Sequence, residues 1–199
     1  MSTGMSAWVG ARRRRLLIAG GIVIVLLVAW LGWMAAGARV ADQVTVSWTP
    51  RCSGTTVDAG KADPVIHSQR GWRCELDLRI SNEAGRDVHV ERIEVPFGGS
   101  NGGSEMRAFD IEDAGLRDTA GGVDGFYELD QTVKAHTTIE VTLLVGWREE
   151  GCNSGGRLAF HDWPAVVFDT WGHTYRHGAE QSLVLRTYDD DHDDVACPA

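Results

Sequence analysis

Residues Leu16–Ala36 run for 21 positions without a charge, directly after Arg12, Arg13, Arg14 and Arg15. A stretch so apolar has no polar face to offer water. At about 1.5 Å per residue it is roughly 31 Å long as a helix, enough to cross a hydrocarbon core. Basic residues favour the cytoplasmic flank. The chain therefore reads as a short basic cytoplasmic tail (1–15), a transmembrane helix (16–36), a linker (37–43) and a domain on the far side (44–199). Trp30 and Trp33 fall near the outer end, where indole rings suit the headgroup region. A cleaved signal peptide is the competing reading, because Ala36-Gly37-Ala38 has the small-residue pattern of a cleavage site. Against it, the apolar run exceeds the usual length of a signal core. Arg14-Arg15-Leu16-Leu17 has some likeness to a twin-arginine signal, but no polar consensus precedes it.

Charge divides the chain at the same place. The net charge is −9, from 19 Lys and Arg against 28 Asp and Glu. The first 38 residues hold four arginines and no acid, so residues 39–199 carry 15 basic and 28 acidic side chains, or −13. Such a domain repels a phosphate backbone, which argues against nucleic acid as a partner. Its composition, 43% hydrophobic and 24% charged, belongs to globular rather than disordered chains.

All four cysteines, Cys52, Cys74, Cys152 and Cys197, lie beyond the apolar run. An even number in an exported domain points to two disulfides. Three connectivities exist, and Cys52–Cys74 with Cys152–Cys197 is favoured because each bridge then closes a moderate loop. No two cysteines have the C-x₂₋₄-C spacing of a zinc site.

The outer part alternates with period two. Trp72, Cys74, Leu76, Leu78 and Ile80 interleave with Arg73, Glu75, Asp77, Arg79 and Ser81. That is the pattern of a strand with one buried face. Ile139, Val141, Leu143, Val145 and Trp147 repeat it, as do Val44, Val46 and Trp48. Weaker strands fit Ala165–Trp171 and Gln181–Tyr188. Val88 and Val90 have the opposite parity to Ile93, Val95 and Phe97, which predicts a β-bulge near Glu91–Arg92 or a break between two short strands. Asn82-Glu83-Ala84-Gly85 is a turn sequence, so the strands around it read as a hairpin. Residues 53–71, the glycine-rich 98–104 and the acidic 110–130 read as loops, with an irregular strand as the alternative for the last; 98–104 lacks any apolar anchor for packing. Seven to nine strands of this kind predict an all-β fold, an antiparallel β-sandwich.

The run Trp72–Phe97, with Asn82-Glu83-Ala84-Gly85 followed by Val88-His89-Val90, resembles immunoglobulin-like modules of bacterial envelope proteins. The segment Val133–Val141 resembles the turn before a late core strand in such modules. With Arg outnumbering Lys 17 to 2, the whole chain is similar to membrane-anchored exported proteins of high-GC actinobacteria. The resemblance implies an immunoglobulin-like sandwich. The chain departs from antibody-type domains in having no Tyr two residues before a second Cys.

Chemistry-bearing residues are scattered. Asp110, Glu112 and Asp113 in one acidic stretch, and Asp189, Asp191 and Asp193 in another, are the metal candidates, with Ca²⁺ the cation such carboxylates suit. Neither stretch has EF-hand spacing, and a solvated acidic surface explains both. His173 and His177 share a face if they lie on a strand, but then sit about 13 Å apart, too far to chelate. The chain holds no G-x-S-x-G, S-x-x-K or H-E-x-x-H. The glycine-rich 98–104 lacks a phosphate-loop lysine. Trp163 and Trp171 fall near strand ends, where an exposed indole can bind a partner. These observations predict a non-catalytic binding or scaffolding module of the cell envelope. It would need no cofactor, and its partners would be the membrane through its anchor and a protein of the envelope. A divalent-metal domain and an envelope hydrolase are the alternatives.

Overall fold

Period-two patterning becomes strand wherever the sequence carries it. The structure is a computed structural model, and it describes residues 5–58, 63–111, 115–151 and 157–187. The chain divides into two units, Met1–Arg39 and Val40–Ala199.

One helix, α1, spans Met5–Ala41. Its Gly20–Ala41 stretch of 22 residues has a mean hydropathy of 2.2, long and apolar enough to cross a membrane. Large apolar side chains from Ile22 to Met34 stand exposed. The helix runs on through most of the segment expected as a linker, which contains no proline and in Ala38, Arg39 and Ala41 has good helix formers.

The second unit is all β. In chain order its strands are β1 (Val44–Ser53), β2 (Val57–Asp58), β3 (Val65–Ser68), β4 (Arg73–Asn82), β5 (Val88–Val95), β6 (Met106–Phe109) and β7 (Leu116–Asp118). There follow β8 (Gly125–Val133), β9 (Thr137–Trp147), β10 (Arg157–Phe160), β11 (Ala165–Thr170), β12 (His173–Gly178) and β13 (Leu183–Thr187). They form three sheets, ordered β1-β4-β9-β6, β10-β13-β3-β2 and β12-β11-β5-β8-β7. Pairing is antiparallel except between β13 and β3, which run parallel. The expected loop 53–71 thus contains β2 and β3, and the acidic 110–130 contains β7 and the start of β8. β2, β3 and β7, of two to four residues, are too short to show periodicity, and the nine residues of β8 do not alternate cleanly.

The inner faces of all three sheets share one core. On β4 the buried side are Cys74, Leu76, Leu78 and Ile80, all at 1% exposure or less, while Arg73, Glu75 and Arg79 face solvent. The parity flip in β5 is a register shift between Val90 and Arg92 against β8, matched by one between Val167 and Phe168 of β11. It lets Val88 and Val90, and then Ile93 and Val95, all face inward.

The hairpin expected across residues 82–87 does not form. β4 pairs with β1 and β9, and β5 with β11 and β8, so the turn carries the chain from one sheet to another. Asn82 is the cause. It ends β4 at inward parity and is fully buried. Its side-chain amide nitrogen donates to the carbonyls of Arg86, Val133 and Lys134 at 2.8, 3.1 and 3.2 Å, and its oxygen accepts from the Ala84 amide.

Cys52 and Cys74 are directly opposite on β1 and β4 and form a disulfide. Cys152 and Cys197 lie outside the described residues. The bridged pair is separated by 22 residues, a loop for which the chain-entropy model gives about 3 kcal/mol. Reduction, or Cys74→Ala, is expected to lower stability by about that amount in urea unfolding.

Trp163 does not sit exposed. It is fully buried, 6.4 Å from the ring of Trp48 and 5.9 Å from that of Phe160, so it is core and not a partner-binding surface. Trp171 is different. It is 37% exposed at the tip of the β11–β12 hairpin, where Trp171 and Gly172 have φ of 57° and 73°. Trp163→Ala is expected to cost about 3–5 kcal/mol. Trp171→Asn, which suits the left-handed turn, should stay within about 1 kcal/mol of the parent in the same urea titration.

Candidate functional site

The glycine-rich segment 98–104 shows how a stretch without apolar anchors can still be packed. Gly98, Gly99 and Gly102 are buried, and Arg148, just past the end of β9, stands inside the loop at 6% exposure. Its guanidinium donates to the carbonyls of Ser100 at 3.0 Å, Phe97 at 3.2 Å and Met106 at 3.4 Å, and also to that of Gly99. Burial holds its pKa below the ordinary arginine value, and the charge of Arg107 acts in the same direction. Arginine stays protonated there, since its five N–H donors find carbonyl oxygens in place of water.

The glycines are required by close approach. A Cβ on Gly102 would overlap the Phe97 carbonyl, and one on Gly99 would overlap that of Gly122. The loop also covers a sheet edge, because the Ala108 amide of β6 donates to the Gly98 carbonyl at 3.1 Å. The sequence shows the glycines but not the arginine that gathers them, which lies 44 residues beyond Ser104.

One of the six metal candidates lies among the described residues. Asp110 accepts from the Leu116 amide at 2.9 Å and is the one candidate carboxylate the structure describes. Glu112, Asp113, Asp189, Asp191 and Asp193 lie outside the described residues. Among the described residues no group of three or more His, Cys, Asp or Glu could hold a metal ion. His173 and His177 lie on strand β12, as their neighbours suggest. The Nδ1–H of His177 donates to the Val44 carbonyl at 2.9 Å, and its ring meets Phe168 edge-on.

The remaining shifted groups have structural causes. The Tyr127 hydroxyl is pushed up by burial and donates to the carbonyls of Phe109 and Leu144 at 2.6 and 3.1 Å. It thereby ties β8 to β6 and β9 across two sheets. Asp77 is held below the ordinary carboxylate range by its hydrogen bond from Arg51, on the exposed face of β4. The Arg86 guanidinium carbon lies 4.0 Å from the centroid of the Trp171 ring, so the one predicted partner-binding tryptophan that is exposed already carries a cation on its face.

No family model matches the chain. No curated protein matches it either. Among solved structures, it is similar to two crystal structures of a GH20 exo β-N-acetylglucosaminidase from Vibrio harveyi, one an inactive mutant and one in complex with N-acetylglucosamine. Both give a TM-score of 0.37 at 10% identity, over 74% and 79% of this chain and 19% and 20% of those chains. The chain spans about a fifth of the length of each. A likeness at that score carries neither chemistry nor ancestry to this chain.

Arg148→Met keeps the stem and removes the donors. It is expected to cost about 3 kcal/mol and to speed amide exchange selectively at Gly98–Gly103, read by hydrogen-exchange mass spectrometry. Gly102→Ala should do the same through backbone overlap. If exchange in that loop is unchanged in Arg148→Met, the arginine does not organise it.

Proposed function

We propose that the chain is a single-pass membrane protein with a cytoplasmic N-terminus, whose exported, disulfide-bonded β domain is a non-catalytic binding or scaffolding module of the cell envelope. The observation that carries this reading is the order of parts. An exposed apolar helix, long enough to span a membrane and preceded by four arginines, leads into a domain joined by a disulfide. Disulfides persist in oxidising compartments, which supports a domain beyond the cytoplasm. The basic cluster supports the opposite flank as the inner one.

The non-catalytic part rests on what the polar groups are engaged in. Arg148 is committed to loop carbonyls, Tyr127 to strand carbonyls, and Arg51 with Asp77 to an exposed ion pair. Each shift in proton affinity thus has a structural cause. An anchored module of this kind acts by surface recognition, and the anchor raises its effective concentration at the membrane.

Topology is the test. The full chain, expressed in a bacterium, is expected to stay in the membrane pellet after carbonate extraction. Protease added to spheroplasts should digest the β domain. A soluble product beginning at Arg39 would replace the anchor with a cleaved signal peptide. A domain protected in spheroplasts and digested only after lysis would reverse the orientation.

A further inference from the structure

Two arginines on the outer face of the first sheet stand out by what they lack. Arg73 of β4 and Arg107 of β6 both pair in register with Gly146 of β9, one from each side. The pleat points both side chains away from the core, since their neighbours Cys74, Met106 and Ala108 are buried. On the same face Arg51 holds Glu75 and Asp77, and Arg79 holds Glu140. Arg73 and Arg107 have no carboxylate partner among the described residues, in a domain where acids outnumber bases 28 to 15.

They are held by a ring instead. The guanidinium carbon of Arg107 lies 4.5 Å from the centroid of Phe109, and that of Arg73 lies 5.1 Å from it. The two carbons are therefore within roughly 10 Å of each other. Gly146 makes the arrangement possible, because a Cβ there would stand 3.0 Å from the Phe109 ring and 3.2 Å from the Arg73 stem. The backbone of Phe109 is fixed in turn by the Tyr127 hydroxyl on its carbonyl, at 2.6 Å. Arg73, Arg107 and Phe109 line an open cleft of about 790 Å³ beside the Cys52–Cys74 bridge. The acids that also line it are engaged: Glu75 by Arg51 at 3.2 Å, and Asp110 by the Leu116 amide.

We propose that this cleft is a binding site for a phosphate group, with Arg73 and Arg107 as its ligands and Phe109 as the wall that positions them. A guanidinium on an aromatic face keeps its in-plane N–H edge free, and that edge matches an oxyanion with two parallel hydrogen bonds. A planar carboxylate fills one such fork. A tetrahedral phosphate has enough oxygens to meet two forks arriving from different directions. The inference deepens the binding-module reading by naming the ligand chemistry. It is read in solution, so it stands or falls separately from the topology.

The test is isothermal titration of the full chain in a non-ionic detergent with inorganic phosphate, and with acetate as the planar comparator. Saturable phosphate binding is expected, at least tenfold tighter than acetate. Arg73→Gln and Arg107→Gln should each weaken it about tenfold or more, and Arg73→Lys nearly as much, because an ammonium lacks the fork. Arg79→Gln should leave it unchanged, and near-UV circular dichroism checks that every variant is folded. Tighter binding of glycerol phosphate than of inorganic phosphate would assign the group to a soluble monoester. Tighter binding of a short-chain phosphatidylglycerol would assign it to a lipid headgroup. Equal affinity for acetate, no saturation, or full binding in the folded Arg73→Gln/Arg107→Gln double variant would overturn the proposal.

Discussion

One buried amide holds two of the four crossings between the first and third sheets. The chain passes from the first sheet to the third between β4 and β5 and again between β6 and β7, and it returns between β5 and β6 and between β8 and β9. Asn82 bonds the carbonyl of Arg86 in the outward connection and those of Val133 and Lys134 in the return. A buried carbonyl without a donor costs about 1–3 kcal/mol, so an apolar residue at this place would leave both turns poorly satisfied. With the amide there, the two connections stack on the same strand end. The sheets on either side of them can then close on a common core.

The same accounting explains how the edges of the first sheet are managed. At β1 the Val44 carbonyl accepts from His177 and that of Val46 from the Glu180 amide, while the Trp48 amide donates to Gln181. Pro50 supplies no N–H at all in that strand. At β6 the glycine-rich loop lies along the edge, kept in shape by a buried cation bonded to carbonyls. Neither edge is left as a free template for pairing.

Charge is distributed with comparable economy across the outer face. Two of its four described arginines sit opposite carboxylates on neighbouring strands, Arg51 with Glu75 and Arg79 with Glu140. Exposed pairs of that kind contribute little to stability. The informative residues are the exceptions, Arg73 and Arg107, which rest against an aromatic ring in an otherwise acidic domain.

The sequence by itself determined the apolar helix, the all-β class and the core faces of the long strands, and it favoured the β5 bulge and the Cys52–Cys74 pair. All of these follow from local patterning: hydropathy over 21 positions, alternation of period two, a parity flip, and an even set of cysteines. Tertiary structure decided the rest. It sent β5 to a different sheet from β4, buried Trp163 while leaving Trp171 at a hairpin tip, and brought Arg148 into a loop that looked unpackable. It also set Arg73, Gly146 and Arg107 in one row, although they are 34 to 73 positions apart in the chain. Alternation says which way a side chain points on its own strand. Which strand lies beside it, and which distant polar group satisfies a buried carbonyl, are settled only when the sheets pair.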